Sequence, residues 1–353
     1  MPCYKIIMFG RWVGRCRRLF STSEASTHPK TERITSPYTL QVVGEKSFVE
    51  MNEVFNKIGL AEKGHQTWRE YSLAKRKAEV KRFVESILSD KVQMYGDICN
   101  AMGKSIKDID LEYHKVQLLY EQLINSADQI MRDVVVEDSP KRLLKYSVEP
   151  IGIVMMFPYY ADPIMDSLIK LIPSLVAGNS VLIKSPPNAP FVGEYLSRKM
   201  LEVCPIPELI CDLYISAVQT PEIVKFRQIR QITFTGSHSS GKHIFELVAK
   251  ERFIDCNLFF GSNDAGYIDE TADVDEAVEQ IIEASFSNNG QSIGALQRLY
   301  IHSSKHEEVI AKLVERTQKI KIGDPMDPTT GLGPLCLEEN VLTVNRLVLL
   351  SVT

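Results

Sequence analysis

At 353 residues, 44% hydrophobic and 24% charged, the chain is long enough and apolar enough for two globular domains. Its net charge of −4 gives no bulk electrostatic case for nucleic acid, and no apolar run reaches membrane-spanning length. The seven cysteines show no CxxC spacing, which argues against a disulfide framework or a structural metal site and fits a reduced compartment.

Residues 1–23 carry Lys5, Arg11, Arg15, Arg17 and Arg18 and no acid. Such an Arg- and Ser-rich, acid-poor start reads as a mitochondrial presequence, here residues 1–27, and directs the protein to the matrix. The alternative is a disordered basic tail. Ser72 to Ser89 reads as a helix capped by Ser72, with Val80, Phe83, Val84, Ile87 and Leu88 in one stripe. Val116, Leu119, Tyr120, Leu123, Ile124, Ala127 and Met131 form a second stripe. Residues 131–149 alternate weakly around the turn signal Asp138-Ser139-Pro140, as in a hairpin.

From Ile151 to Phe157 the chain is continuously apolar, as expected of a strand buried on both faces. A helix over Pro163 to Ala177, a strand over Val181 to Lys184 and a helix over Phe191 to Val203 follow. Then come a strand over Cys211 to Ile215, a short helix near Pro221 to Phe226 and a strand over Gln231 to Thr235. This alternation predicts a doubly wound parallel α/β sheet, with ligands at the carboxyl ends of its strands. A helix to about Glu251, a strand from Ala265 to Asp269 and a helix from Asp273 to Phe286 continue the pattern. A strand from Arg298 to His302 and an amphipathic segment from Lys305 to Ile322 complete it.

Two loops carry candidate chemistry. Gly236-Ser-His-Ser-Ser-Gly241-Lys242 follows a strand and opens a helix, nearly a phosphate loop. Its last position is His243, so the hydroxyl that would hold magnesium is missing, and an ATP-binding module is the weakest of the readings. Asn288-Asn289-Gly290-Gln291-Ser292-Ile293-Gly294-Ala295 joins a helix to a strand, where side chains are commonly presented for chemistry.

This second loop resembles the nucleophile loop of the aldehyde dehydrogenase superfamily: Gly290, Gln291, Ala295 and Arg298 match its pattern. Further matches are Glu149-Pro150-Ile151-Gly152, Ile172 to Lys184, Ile232 to Ser237 with Gly241, and Gly323-Asp324-Pro325 with Gly333-Pro334-Leu335. The resemblance covers about residues 36–335. It implies a Rossmann-like cofactor domain over 28–255, with the hairpin near 131–149 as an extension, and a partial catalytic domain over 256–353. It also implies a small-molecule aldehyde as substrate and NAD or NADP as cofactor. Lys184 would bind the adenosine ribose, while Gly236, Ser237 and Gly241 would face the pyrophosphate at a helix N-terminus.

The departures concern the reacting groups. The cysteine position of the family holds Ile293, which has no nucleophilic atom. The general-base position holds Phe259, and the oxyanion-donor position holds Tyr160. Pro187 stands where a ribose-binding Glu is expected, and the turn Ser216 to Thr220 is shortened. The resemblance therefore implies a catalytically defective relative with weak cofactor binding. The alternative is an active NAD(P)-dependent dehydrogenase with a displaced nucleophile, Ser292 or Cys256. Residues 346–353 do not resemble the family's continuation, which carries a strand used in subunit pairing, so pairing through that strand is not expected of this chain.

Overall fold

The computed structural model describes residues 5–8, 30–261 and 263–352. Of the expected presequence, only Lys5–Met8 falls among them, as β1. Strands β2 (Thr31–Thr35) and β3 (Val42–Ser47) pair with each other. Helices α1 (Met51–Arg69), α2 (Leu73–Ser89), α3 (Tyr95–Met102) and α4 (Ile106–Ile130) follow, then β4 (Val134–Ser139) and β5 (Arg142–Tyr146) as an antiparallel hairpin. Strict alternation begins with β6 (Ile153–Phe157), α5 (Pro163–Val176), β7 (Ser180–Ile183) and α6 (Val192–Val203). It continues with β8 (Ile210–Asp212), α7 (Thr220–Ile223), β9 (Ile229–Gly236) and α8 (His238–Glu251). The remainder comprises β10 (Asp255–Phe260), β11 (Asp264–Ile268), α9 (Val274–Phe286), β12 (Leu296–Ile301), α10 (His306–Gln318) and α11 (Glu338–Val352). No helix among the described residues is long and apolar enough to cross a membrane.

The chain forms two compact units. The larger comprises residues 46–93 and 111–259; the other comprises 1–45, 94–110 and 260–353. The linear partition read from sequence, with its boundary at 255/256, lacks these two returns of the chain.

The larger unit is built on a five-stranded sheet in the order β10-β9-β6-β7-β8. β6 pairs in parallel with both β7 and β9, and β7 with β8. Every residue of β6 and β7 is buried, as their unbroken apolar sequences require of strands covered on both faces. The stripe of α2 is buried at Val80, Phe83, Val84 and Ile87, and the Ser72 hydroxyl caps the helix by accepting from the Lys75 N–H at 3.3 Å. α1, which the sequence analysis left unassigned, buries Val54, Ile58, Ala61 and Trp68. Its Trp68 indole donates to the Leu175 carbonyl at 2.7 Å, a buried partner for the polar end of a large ring. β8 is shorter than expected. Beyond Asp212 the chain stays buried, but the Tyr214 carbonyl accepts from Val49 N–H instead of a strand.

In the second unit β12 pairs in parallel with β11 and antiparallel with β1. Ile268, Val274, Val278, Ile281, Leu299, Ile301 and Val309 make its core. The expected helix from Asp273 is α9, capped by the Asp273 carboxylate on Glu276 N–H at 3.0 Å. α10 stops at Gln318 rather than Ile322, because Ile322 pairs with Leu332 across the turn-rich loop.

Candidate functional site

The carboxyl edge of the larger sheet gathers most of the expected cofactor residues. Lys184 follows β7, half-buried, with its N–H donating to Met156 O at 2.9 Å. Gly236 ends β9 and Ser237 opens α8. With β6 between β7 and β9, Lys184 and Gly236 are about two strand spacings apart, roughly 10 Å. The Ser237 hydroxyl is engaged as the cap of α8, accepting from the Ser240 N–H at 3.2 Å. It also contacts the Ser239 and Ser240 hydroxyls. Gly236 is required by its neighbour: a Cβ there would lie 2.7 Å from Phe234 Cζ. Lys242 of the phosphate-loop-like motif lies on the exposed side of α8, 3.8 Å from Glu246, the geometry of a helix surface pair.

Sequence reasoning missed two charged pairs at this edge. Lys170 on α5 is bonded to the Asp166 carboxylate one turn earlier and to the Thr235 hydroxyl at the end of β9. Asp166 in turn accepts from Tyr159 N–H at 2.7 Å, so this pair fixes the loop that carries Tyr160. Burial holds the Lys170 ammonium below its ordinary range, and Asp166 opposes that shift. Farther along, Lys46 donates to Asp212 Oδ2 at 2.8 Å and to Pro190 O at 2.7 Å. Burial raises the Asp212 carboxyl, with Lys46 pulling it back. The i, i+4 spacing of Asp166 and Lys170 was readable; the Lys46 partner, 166 positions away, was not.

Phe259 stands on β10, half-exposed, with its ring centroid 5.5 Å from the Lys170 ammonium. The expected base position is thus a strand position, and an aromatic face meets a cation there. Cys256 does not share its face. Residues 256 and 259 are an odd number apart on β10, and side chains alternate along a strand. Burial also raises the Cys256 thiol, the wrong direction for a nucleophile. Tyr160 packs at 4.8 Å against the Tyr159 ring. Pro187 is exposed, and the Ser216 turn is organised by Gln219, whose Oε1 accepts from Ser216 N–H at 2.8 Å.

The Gly-Gln loop belongs to the second unit. Asn288, Asn289 and Gly290 take consecutive left-handed conformations with φ of 53°, 57° and 69°. The Asp108 carboxylate holds this turn: Oδ1 accepts from Asn288 N–H at 2.9 Å and Oδ2 from the Ser105 hydroxyl at 2.7 Å. Gln291 completes it, accepting from Cys336 N–H at 3.0 Å and donating to Asn288 O at 3.1 Å. Asn289 donates to Pro334 O at 2.8 Å, and Arg298 to Asn263 O at 2.9 Å. Within this ordered frame Ile293 and Ser292 are half-buried, and the Ser292 carbonyl accepts from Ala295 N–H at 3.1 Å.

The aldehyde dehydrogenase family model matches residues 24–352. D-glyceraldehyde dehydrogenase (NADP(+)) of Picrophilus torridus is 27% identical over 326 residues, which are 92% of this chain and 65% of that protein. Aldehyde dehydrogenase family 7 member A1 of Malus domestica is 28% identical over 305 residues, 85% of this chain and 60% of that one. The chain therefore spans under two-thirds of the length of these relatives. The structure of succinic semialdehyde dehydrogenase from Streptococcus pyogenes in complex with NADP+ has a TM-score of 0.83 at 21% identity, covering 90% of this chain and 70% of that chain. The likeness at this identity is one of fold.

Proposed function

The chain belongs to the aldehyde dehydrogenase family, and from that premise we propose that it is a catalytically silent member retaining part of a dinucleotide site. The family reaction has a cysteine thiolate add to an aldehyde, hydride leave to NAD(P), and a base-activated water hydrolyse the thioester. The observation that carries the proposal is Ile293. The loop around it is held by hydrogen bonds through Asp108, Gln291 and Asn288, yet the side chain it presents has no electron pair to give. Phe259 cannot accept a proton from water, and Tyr160 replaces the amide donor.

The residues at the carboxyl edge fit a dinucleotide in part. Lys184 and the N-terminus of α8 suit a ribose and a pyrophosphate, the helix by its dipole. Pro187 offers no carboxylate, and the Ser216 turn is closed by Gln219. Binding is therefore weak, with contacts to the adenine nucleotide half dominating. A displaced nucleophile is disfavoured by the alternation that turns Cys256 away from the Phe259 face, and an ATP-binding module by the Lys242–Glu246 pair. We assign the protein to the mitochondrial matrix on its acid-free basic start.

Titration calorimetry with NAD and NADP tests the cofactor reading. Weak saturable heat that falls about tenfold in affinity in Lys184→Ala is expected; no heat from folded protein sinks it. NAD(P)H production from aliphatic, aromatic and semialdehyde substrates tests the silence. Robust turnover by the native chain overturns it, and loss of that turnover in Ser292→Ala or Cys256→Ala would name the surrogate. A reporter carrying residues 1–27 should enter mitochondria; a cytosolic reporter refutes the localisation.

A further inference from the structure

The opposite, amino edge of the same sheet carries a cleft of about 390 Å³ that the cofactor reading does not use. It is lined by α1 (Glu62, His65, Gln66, Arg69), by the entry to β6 and by the residues flanking the start of β9 (Arg227, Gln228, Arg230). Three arginines and two glutamines line it, against one glutamate. Arg69 lies 3.6 Å from Glu149. Arg227 and Arg230 have no ion-pair partner among the described residues. A fourth arginine stands behind them: Arg252 donates to the Phe226 carbonyl and, at 3.4 Å, to the Arg227 carbonyl. Its guanidinium is held below its ordinary range by burial and by repulsion from Arg230 and Arg227. Gathering like charges beyond what the nearby acids offset is unfavourable, and a bound anion would relieve it.

The backbone makes room for this arrangement. Gly152 has φ of +123°, and a Cβ there would lie 2.9 Å from Arg230 Cγ, so only glycine admits the arginine stem at the cleft floor. The carbonyls at the end of α1 would repel an anion. Arg76 neutralises them by donating to Arg69 O at 3.3 Å and Tyr71 O at 2.6 Å. His65 is buried, with Nδ1–H donating to Gly178 O at 3.0 Å. Burial lowers its pKa, so the ring is neutral near pH 7 and its Nε2 is an acceptor. The cleft thus offers forked cationic donors, amide donors and one acceptor for a hydroxyl or a protonated phosphate oxygen.

We propose that this cleft is a binding site for a small polyanion, recognised through phosphate or carboxylate oxygens by Arg69, Arg227 and Arg230. Guanidinium forks match the paired oxygens of either group. The site is separate from the cofactor edge. The five residues of β6 lie between them, about 16 Å of extended chain. The inference does not depend on catalytic silence or on dinucleotide binding.

The test is calorimetric titration of the full chain with pyrophosphate and, separately, citrate, at constant ionic strength. Saturable binding of at least one probe is expected, weakened tenfold or more in Arg227→Gln/Arg230→Gln. Both side chains are exposed and their removal relieves repulsion on Arg252, so the thermal midpoint of that variant without ligand should not fall. Binding should persist in Lys184→Ala, which alters only the opposite edge. Preference for pyrophosphate assigns a phosphate-bearing ligand, and preference for citrate a polycarboxylate. Absence of saturable binding by both probes overturns the proposal. So does binding that survives in the double variant or is lost in Lys184→Ala.

Discussion

Placing a carboxylate at position 259, Phe259→Glu, probes the charge built around that position. The Lys170 ammonium lies 5.5 Å from the ring centroid that the new carboxylate would approach, and its side chain is 10% exposed. At an effective dielectric of about 20, unit charges at that distance attract by about 3 kcal/mol. Phe259 is 50% exposed, so water screens the pair, and the Asp166 carboxylate bonded to Lys170 opposes it, leaving a net attraction of about 1 kcal/mol or less. The new carboxyl is therefore held below the ordinary Glu value of about 4.3. The folded-state value is depressed. The added stability is therefore present above about pH 4.3 and lost as pH falls through the lower folded value. Carbon-13 NMR of the labelled carboxylate reads the titration directly. A carboxyl held that low is a poor base for water near neutrality. Ile293→Cys/Phe259→Glu is accordingly expected to show no steady-state NAD(P)H production. A carboxylate titrating at or above its ordinary value would refute the placement of Lys170, and sustained turnover by the double variant would refute the argument on basicity.

Gly193→Ala should lower stability by about 1–3 kcal/mol, read as a lower denaturation midpoint, because its Cβ would sit 2.3 Å from Asp212 Oδ1 and 2.7 Å from Ser185 Oγ. Asp212 is tied to Lys46 and cannot swing away; an unchanged midpoint would show that it can. His65 has a folded pKa below its unfolded one, chiefly through burial, so its contribution is present above about pH 6.5 and lost as pH falls below it. Denaturation midpoints should therefore fall from pH 7 to 5 less steeply in His65→Gln than in the native chain; parallel slopes would exclude the histidine as a cause. Asn288→Ala should cost about 1 kcal/mol more than Asn288→Gly, because both lose the buried side chain but only alanine is strained in the left-handed conformation. Equal losses in both would mean that backbone strain is not what the asparagine relieves.

The doubly wound core was legible because its strands are buried on both faces and announce themselves as apolar runs: Ile153–Phe157 and Ser180–Ile183 fall within a residue or two of the expected positions. Helix caps were legible for the same local reason, Ser72 bonding three residues ahead within one turn. α1 escaped notice because its buried set is diluted by Gly64 and His65. Gly64 is needed because a Cβ would lie 2.9 Å from the Pro207 carbonyl, and His65 because Gly178 O supplies its partner. β10 was missed because its alternation is short: Asp255-Cys256-Asn257-Leu258 alternates, but Phe259 then puts a large apolar ring on the exposed side.

The candidate site divides along the same line. Residue identities at 293, 259 and 160 are local and needed only the sequence. What holds the loop around residue 293 does not lie near it: Asp108 is 180 positions from Asn288, and Cys336 is 45 from Gln291. The Gly-Gln pair has a structural task in this chain independent of any nucleophile, since Gln291 satisfies one buried backbone donor with its oxygen and one acceptor with its nitrogen. None of those hydrogen bonds involves the Ile293 side chain, whereas replacing Gln291 removes both of its side-chain bonds. Stability by itself thus accounts for the frame, and a matching frame alone is no argument for activity.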